Sequence, residues 1–191
     1  FGRATNEVFV VRVAGNVLGA EGLGSLDYAV AYLESVRLLG VLGHTGCGAV
    51  TAAVAAFLAP TAYLDVAANQ PVHSLIAGLL PPVAAGADAL RRVHGDGVAG
   101  RPGYRPALVE LSVVLNAALT AAALRRTYAG RPLGVVYGVY DLLTGITGAP
   151  NTAAAGDAWQ PGLFDAPAGD AAYEALALAL ATSRRVAALL D

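Results

Sequence analysis

The segment VLGHTGCGAV, residues 41–50, ends an apolar run in a turn holding one histidine, one threonine, three glycines and the single cysteine of the chain. His44 and Cys47 place an imidazole nitrogen and a thiol sulfur three positions apart. They stand where a strand is expected to enter a helix, the end at which open α/β folds present their ligands. Both atoms are zinc donors, and the glycines let the backbone approach a metal or a small anion closely. A helix beginning after Cys47 would favour the thiolate. Two donors are only half of a tetrahedral site, so a buried thiol beside a hydrogen-bonded histidine remains the competing reading of the same residues. A Cys/His nucleophile would need a third, orienting group that the sequence does not place. The glycine density suggests a phosphate loop, but there is no Gly-Lys-Ser/Thr and no lysine in the chain. GLGSLD, residues 22–27, lacks the third glycine of a dinucleotide fingerprint, and Asp27 follows too soon to bind a ribose.

The elements that must position this turn follow from the pattern around it. EVFVVRVAG, residues 7–15, is rich in β-branched residues and closed by glycine, which predicts a buried strand. A helix is expected next, with Ser25 as N-cap and Leu26, Ala29, Val30 and Leu33 on one face. RLLGVLGH gives a second strand, and CGAVTAAVAAFLA a second helix stopped at Pro60. This β-α-β-α order predicts an α/β domain with a mainly parallel central sheet flanked by helices.

Residues 60–105 are broken by prolines into short helical pieces, HSLIAGLL and GADALRRV, with a loop at HGDGVAGRPG. A long helix follows from about Pro106 to Tyr128. Ser112, Asn116 and Thr120 recur at every fourth position, so they line one face of an otherwise apolar helix, which predicts a packed interior helix and no membrane span. PLGVVYGVYDLLTGIT reads as strand, turn at Thr144-Gly145, and return strand. Residues 149–172 are expected to form a surface connection, pinned by Trp159 and Phe164, to one terminal helix whose Arg184 and Arg185 suit its C-terminal end. His73 and His94 read as surface or capping histidines, and Asp141 as a strand-end acceptor.

The 191 residues fit one domain, and 56% hydrophobic against 14% charged residues marks a chain that buries a core. A net charge of −2 offers no basic field to a polyanion, so no nucleic-acid partner is expected. One cysteine permits no internal disulfide, in keeping with a cytoplasmic location. The sequence contains no methionine, so residue 1 is read as a cut end.

The succession EVFVVRVAGN, GSLDYAVAYL and VLGHTGCGAV resembles the β-class carbonic anhydrases, which carry F-V-x-R-N-x-x-N, G-S-L-E-Y-A-V and V-x-G-H-x-x-C-G-A/G-V. The likeness is dense over residues 7–55 and returns faintly at VVYGVYDLLTG. It implies reversible hydration of CO2 to bicarbonate by a hydroxide on Zn2+, the metal being held by two cysteines and one histidine. His44 and Cys47 match the histidine and the second cysteine. Gly48 matches the glycine whose amide binds substrate oxygens, and Arg12 the arginine of the second strand. Val13 stands where the family has asparagine.

The Cys-x-Asp-x-Arg motif, which would supply the first thiolate and the catalytic Asp-Arg pair, is expected upstream of Phe1, together with a core strand. The chain as given is therefore expected to be inactive alone, with no catalytic residue of its own. The resemblance also implies a homodimer or higher homo-oligomer. Two alternatives stay open: a zinc hydrolase of a CO2-like substrate such as carbonyl sulfide or carbon disulfide, and a metal-free relative serving as a binding or scaffold protein.

Overall fold

The computed structural model describes residues 7–59, 61, 70–153 and 158–191. The expected helix stop at Pro60 and the stretch 62–69 of the irregular middle lie outside them. In chain order the elements are α1 (Ala20–Tyr32), β1 (Leu38–His44), α2 (Gly48–Leu58), α3 (Gln70–His94), α4 (Tyr104–Thr127), β2 (Gly134–Tyr140), β3 (Thr147–Pro150), β4 (Trp159–Pro161), β5 (Phe164–Asp165), α5 (Asp170–Ala181) and α6 (Arg184–Leu190).

β1 and β2 pair in parallel over their whole length, from Leu38 opposite Gly134 to His44 opposite Tyr140. Both strands therefore end at the same level, and the residues just beyond them meet. After β2 the chain reverses through residues 141–145 with Gly145 at φ 72°, a left-handed conformation that suits glycine. So short a connection can return only antiparallel, and β3 pairs with β2 that way. β4 and β5 add further antiparallel pairs, β4 to β3 and β5 to β2. The sheet is thus mixed, which corrects the expectation of a mainly parallel one: β1 with β2 is the parallel pair among the described residues.

α4 is the core of the molecule. Residues 110–118 are all buried, and the helix packs against β1, β2 and helices α2, α3, α5 and α6. Leu108, Leu111, Val114 and Leu115 are fully buried, each contributing about 1.5–3 kcal/mol relative to exposure. α3 and α4 are both long and apolar enough to cross a membrane. The interior role expected for α4 is what the fold assigns to it. Its polar face has a specific use: Asn116 Nδ2 donates to Gly15 O at 2.6 Å and Thr120 Oγ1 to Asn16 O at 3.4 Å. These bonds hold a 3-10 turn, Ala14–Asn16, in which Gly15 and Asn16 both have positive φ. Asn16 Nδ2 in turn donates to Leu42 O of β1 at 2.6 Å.

Four local expectations are corrected. Residues 7–13 are not a buried strand: they pair with no strand, and Val8, Phe9, Val10 and Val13 are exposed. A strand needs a neighbour to bond with, and among the described residues none lies beside this segment. α1 begins at Ala20 behind Gly19, and Ser25 is interior, with Oγ donating to Glu21 O. The middle is one 25-residue helix, α3, running through Pro81 and Pro82, because its apolar face packs on α2 and α4. The terminal helix is two helices, broken where Ser183 caps α6 by accepting from Val186 N–H. Arg184 and Arg185 therefore open a helix instead of closing one. Within residues 149–172, β4 and β5 join the sheet, with Phe164 against Tyr137 at 5.8 Å.

Candidate metal and anion site

The turn at residues 44–48 is built by the strand and helix it joins. β1 delivers His44 exposed at its last position, opposite Tyr140. Gly46 takes φ 66°, and the chain enters α2 with Cys47 as N-cap. Cys47 is buried, and its Sγ makes no cap hydrogen bond. Its carbonyl accepts from both Thr51 N–H and Thr51 Oγ1 at 2.9 Å, which anchors the first turn of α2. His44 Nδ1 lies 3.1 Å from Thr45 O. A proton on Nδ1 bonded to that carbonyl leaves the lone pair on Nε2, the tautomer that suits a ligand nitrogen.

Gly48 is exposed, and a Cβ there would meet nothing within 4 Å. Packing does not demand a glycine, so the space above it is open. Its N–H is among the first-turn amides with no intrahelical acceptor, the kind that meets anions. Arg12 lies exposed before the first helix, and among the described residues no hydrogen bond or ion pair ties it to the turn. The sequence thus brings His44, Cys47 and Gly48 together, and leaves Arg12 outside the cluster.

Beneath the turn lies a group that the motif does not announce. Asp141, directly after β2 and almost fully buried, accepts from Thr45 Oγ1 at 3.2 Å, Leu143 N–H at 3.3 Å and Thr144 Oγ1 at 3.0 Å. Burial pushes its pKa up, but those donors and the Arg185 charge outweigh it, and the net shift is below the usual carboxylate value. Thr45 N–H donates to Tyr140 O, and Thr45 Oγ1 accepts from Leu142 N–H, both at 3.0 Å. The expected acceptor role of Asp141 is met, and its partner is the turn itself. His94, in contrast, is far from the site in its bonding: Nε2 lies 2.9 Å from Ala181 O, joining α3 to α5.

The donor chemistry fits zinc, while the donor count stops at two. Among the described residues no group of three or more His, Cys, Asp or Glu side chains forms a metal site. Catalytic zinc takes three protein ligands and one open position. Cys47 is the only cysteine of the 191 residues, so these residues offer one thiolate beside the imidazole of His44.

The profile of the carbonic anhydrase family matches residues 1–147. Over 56 residues the chain is 52% identical to "Carbonic anhydrase 2" of Mycobacterium tuberculosis, a stretch that is 29% of this chain and 27% of that protein. Over 56 residues it is 48% identical to "Carbonic anhydrase" of Mycolicibacterium smegmatis, with the same shares. The match therefore spans about a quarter of the length of these curated relatives. The fold is similar to that of the β-carbonic anhydrase CcaA, with a TM-score of 0.53 and 22% identity over 78% of this chain and 69% of that one. With the family profile spanning three quarters of its length, the chain belongs to the β-class carbonic anhydrase family.

Proposed function

We propose that the protein reversibly hydrates CO2 to bicarbonate, using a zinc ion for which His44 and Cys47 are two of the ligands. The observation that carries this reading is the convergence of an outward-facing imidazole and an uncapped thiol at the end of β1, in a chain of this family. Bound zinc would supply Lewis-acid activation of water near neutral pH. The chain's own residues do the rest. His44 offers Nε2 while Thr45 O orients the ring, Cys47 offers Sγ from the start of α2, and the open space and free amide at Gly48 receive an oxyanion. The reading requires a second thiolate, as the resemblance implies from a Cys-x-Asp-x-Arg, and Arg12, which lies outside the cluster in this structure, would offer paired donors to bicarbonate.

Zinc content and stopped-flow CO2 hydration, measured together on protein carrying that motif, test the reading. His44→Ala and Cys47→Ser should each lose zinc and activity together. Arg12→Ala should keep zinc and lose bicarbonate handling. Zinc retained in full by Cys47→Ser would remove the proposal. Turnover of carbonyl sulfide or carbon disulfide without CO2 hydration would replace the substrate while keeping the metal.

A further inference from the structure

Helix α6 reaches back across the molecule to the turn that carries His44 and Cys47. Arg185, in its first turn, stands between two carboxylates from different elements. Its Nε is 2.5 Å from Glu110 Oε1 on α4, and its Nη1 is 3.6 Å from Asp141 Oδ2 at the end of β2. The guanidinium lies over the Trp159 ring at 4.6 Å, so its third side is covered as well. Among the described residues no other basic side chain pairs with either carboxylate. Asp141 then passes the arrangement on: through Thr45 Oγ1 it holds the residue that follows His44. A cleft of about 340 Å3 shows the two ends meeting, since Gly46 and Thr51 line it together with Glu110 and Leu189 of α6.

Anchoring α6 does not require this contact. Val186 and Leu190 are buried, and Ser183 caps the helix. What Arg185 adds is a positive charge held beside the Asp141 carboxylate, its guanidinium being fixed by the bond to Glu110 and by the Trp159 ring. We infer that α6 is a latch on the His44–Cys47 turn, with Arg185 as a positioning residue acting through Asp141 and Thr45. The inference rests on the reading of His44 and Cys47 as the metal pair only for its consequence, tighter zinc binding. The latch itself is a statement about the turn.

Arg185→Gln alone would leave Glu110 buried and unpaired, which can unfold the chain. The informative comparison is therefore E110Q, which keeps Arg185 on Asp141, against E110Q/R185Q, which removes the cation while Asp141 keeps its bonds from Thr45, Leu143 and Thr144. Amide hydrogen exchange should speed up at Thr45, Leu142 and Leu143 by about tenfold or more in the double variant, with Leu115 and Val139 unchanged. Zinc affinity, read by chelator competition, should fall about tenfold, the usual scale for a partner behind a ligand. Adding Thr45→Val to both proteins should abolish that difference, because the path through Thr45 is cut. Lysine at 185 should restore only part of it.

Equal exchange at the turn, or acceleration spread evenly over the whole chain, would overturn the latch, as would a zinc effect that persists undiminished with Thr45→Val. Zinc binding absent from every protein made with the Cys-x-Asp-x-Arg motif, wild type included, would remove the metal reading, and the exchange comparison would then decide the latch alone.

Discussion

A methyl group at Gly103 would run into the carbonyl of Leu189, with the Leu189 carbonyl carbon at 2.7 Å and Leu190 Cα at 2.9 Å. These are backbone atoms, which cannot swing aside, so Gly103 is the close contact by which α4 receives the end of α6. Gly103→Ala should cost about 1–3 kcal/mol, the usual range for overpacking. A lower midpoint in urea at unchanged slope would check it. Gly148 makes the same demand against Gln160 O and the Trp159 Nε1 of β4. Nothing in the local sequence marks either glycine, because the atoms that exclude a side chain come from distant segments. The same division runs through the site. His44 and Cys47 could be read in sequence because their spacing is local and one turn holds both. Arg185 could not: Glu110 lies 75 residues away, and local reasoning assigned the arginine to a helix end that the fold turns into a helix start.

At the scale of elements, α4 carries a carboxylate in its buried stretch, and this has a pH consequence. Burial raises the pKa of Glu110 above its ordinary 4.5, and the nearby Asp141 adds to the rise, while the Arg185 charge and hydrogen bond oppose it without cancelling it. A folded pKa above the unfolded one favours the protonated form. Its contribution to stability is therefore complete below about pH 4.5 and is lost as the pH rises through the folded value. Relative to E110Q, wild type should lose stability as the pH rises above about 4.5, as followed by denaturant unfolding at each pH. A difference that stays flat, or grows in favour of wild type, would contradict the burial argument.

Residues 8–13, which join no strand among the described residues, make a second prediction at this scale. The amides of Val8, Val10 and Val13 should exchange far faster than those of Val41 and Val139 in the parallel pair. The composition of this segment is that of a strand, and the reading failed because a strand is a property of two segments. Helix α3 was misread for the complementary reason. Pro81 and Pro82 are strong local breakers, but a buried face of Ile76, Leu79, Val83 and Leu90 outweighs them.

At the scale of the whole molecule, exposed apolar residues fall along residues 8–38 and again around the turn after β2, where Leu142 is 60% and Leu143 92% exposed. Val8, Phe9, Val10 and Val13 lie on the segment that passes α1, where Val11 comes within about 4 Å of the space above Gly22. Tyr28 and Tyr32 stand exposed on α1 with their rings 5.0 Å apart, and Leu38 opens β1, which is an edge strand of the sheet among the described residues. Exposed apolar side chains of the first set are what an association face requires. We therefore propose that the protein forms a homodimer or a larger homo-oligomer through this side of the molecule. Light scattering over about 1–100 μM should show a mass above that of the 19.2 kDa chain. Val10 is 65% and Tyr32 71% exposed, so replacing both with serine should leave the fold intact. If each contributes about 1.5 kcal/mol on burial, the four side chains lost from a two-fold interface should weaken association by about ten-thousandfold. A wild-type chain that stays monomeric throughout, or an assembly indifferent to both substitutions, would place the contact elsewhere or nowhere.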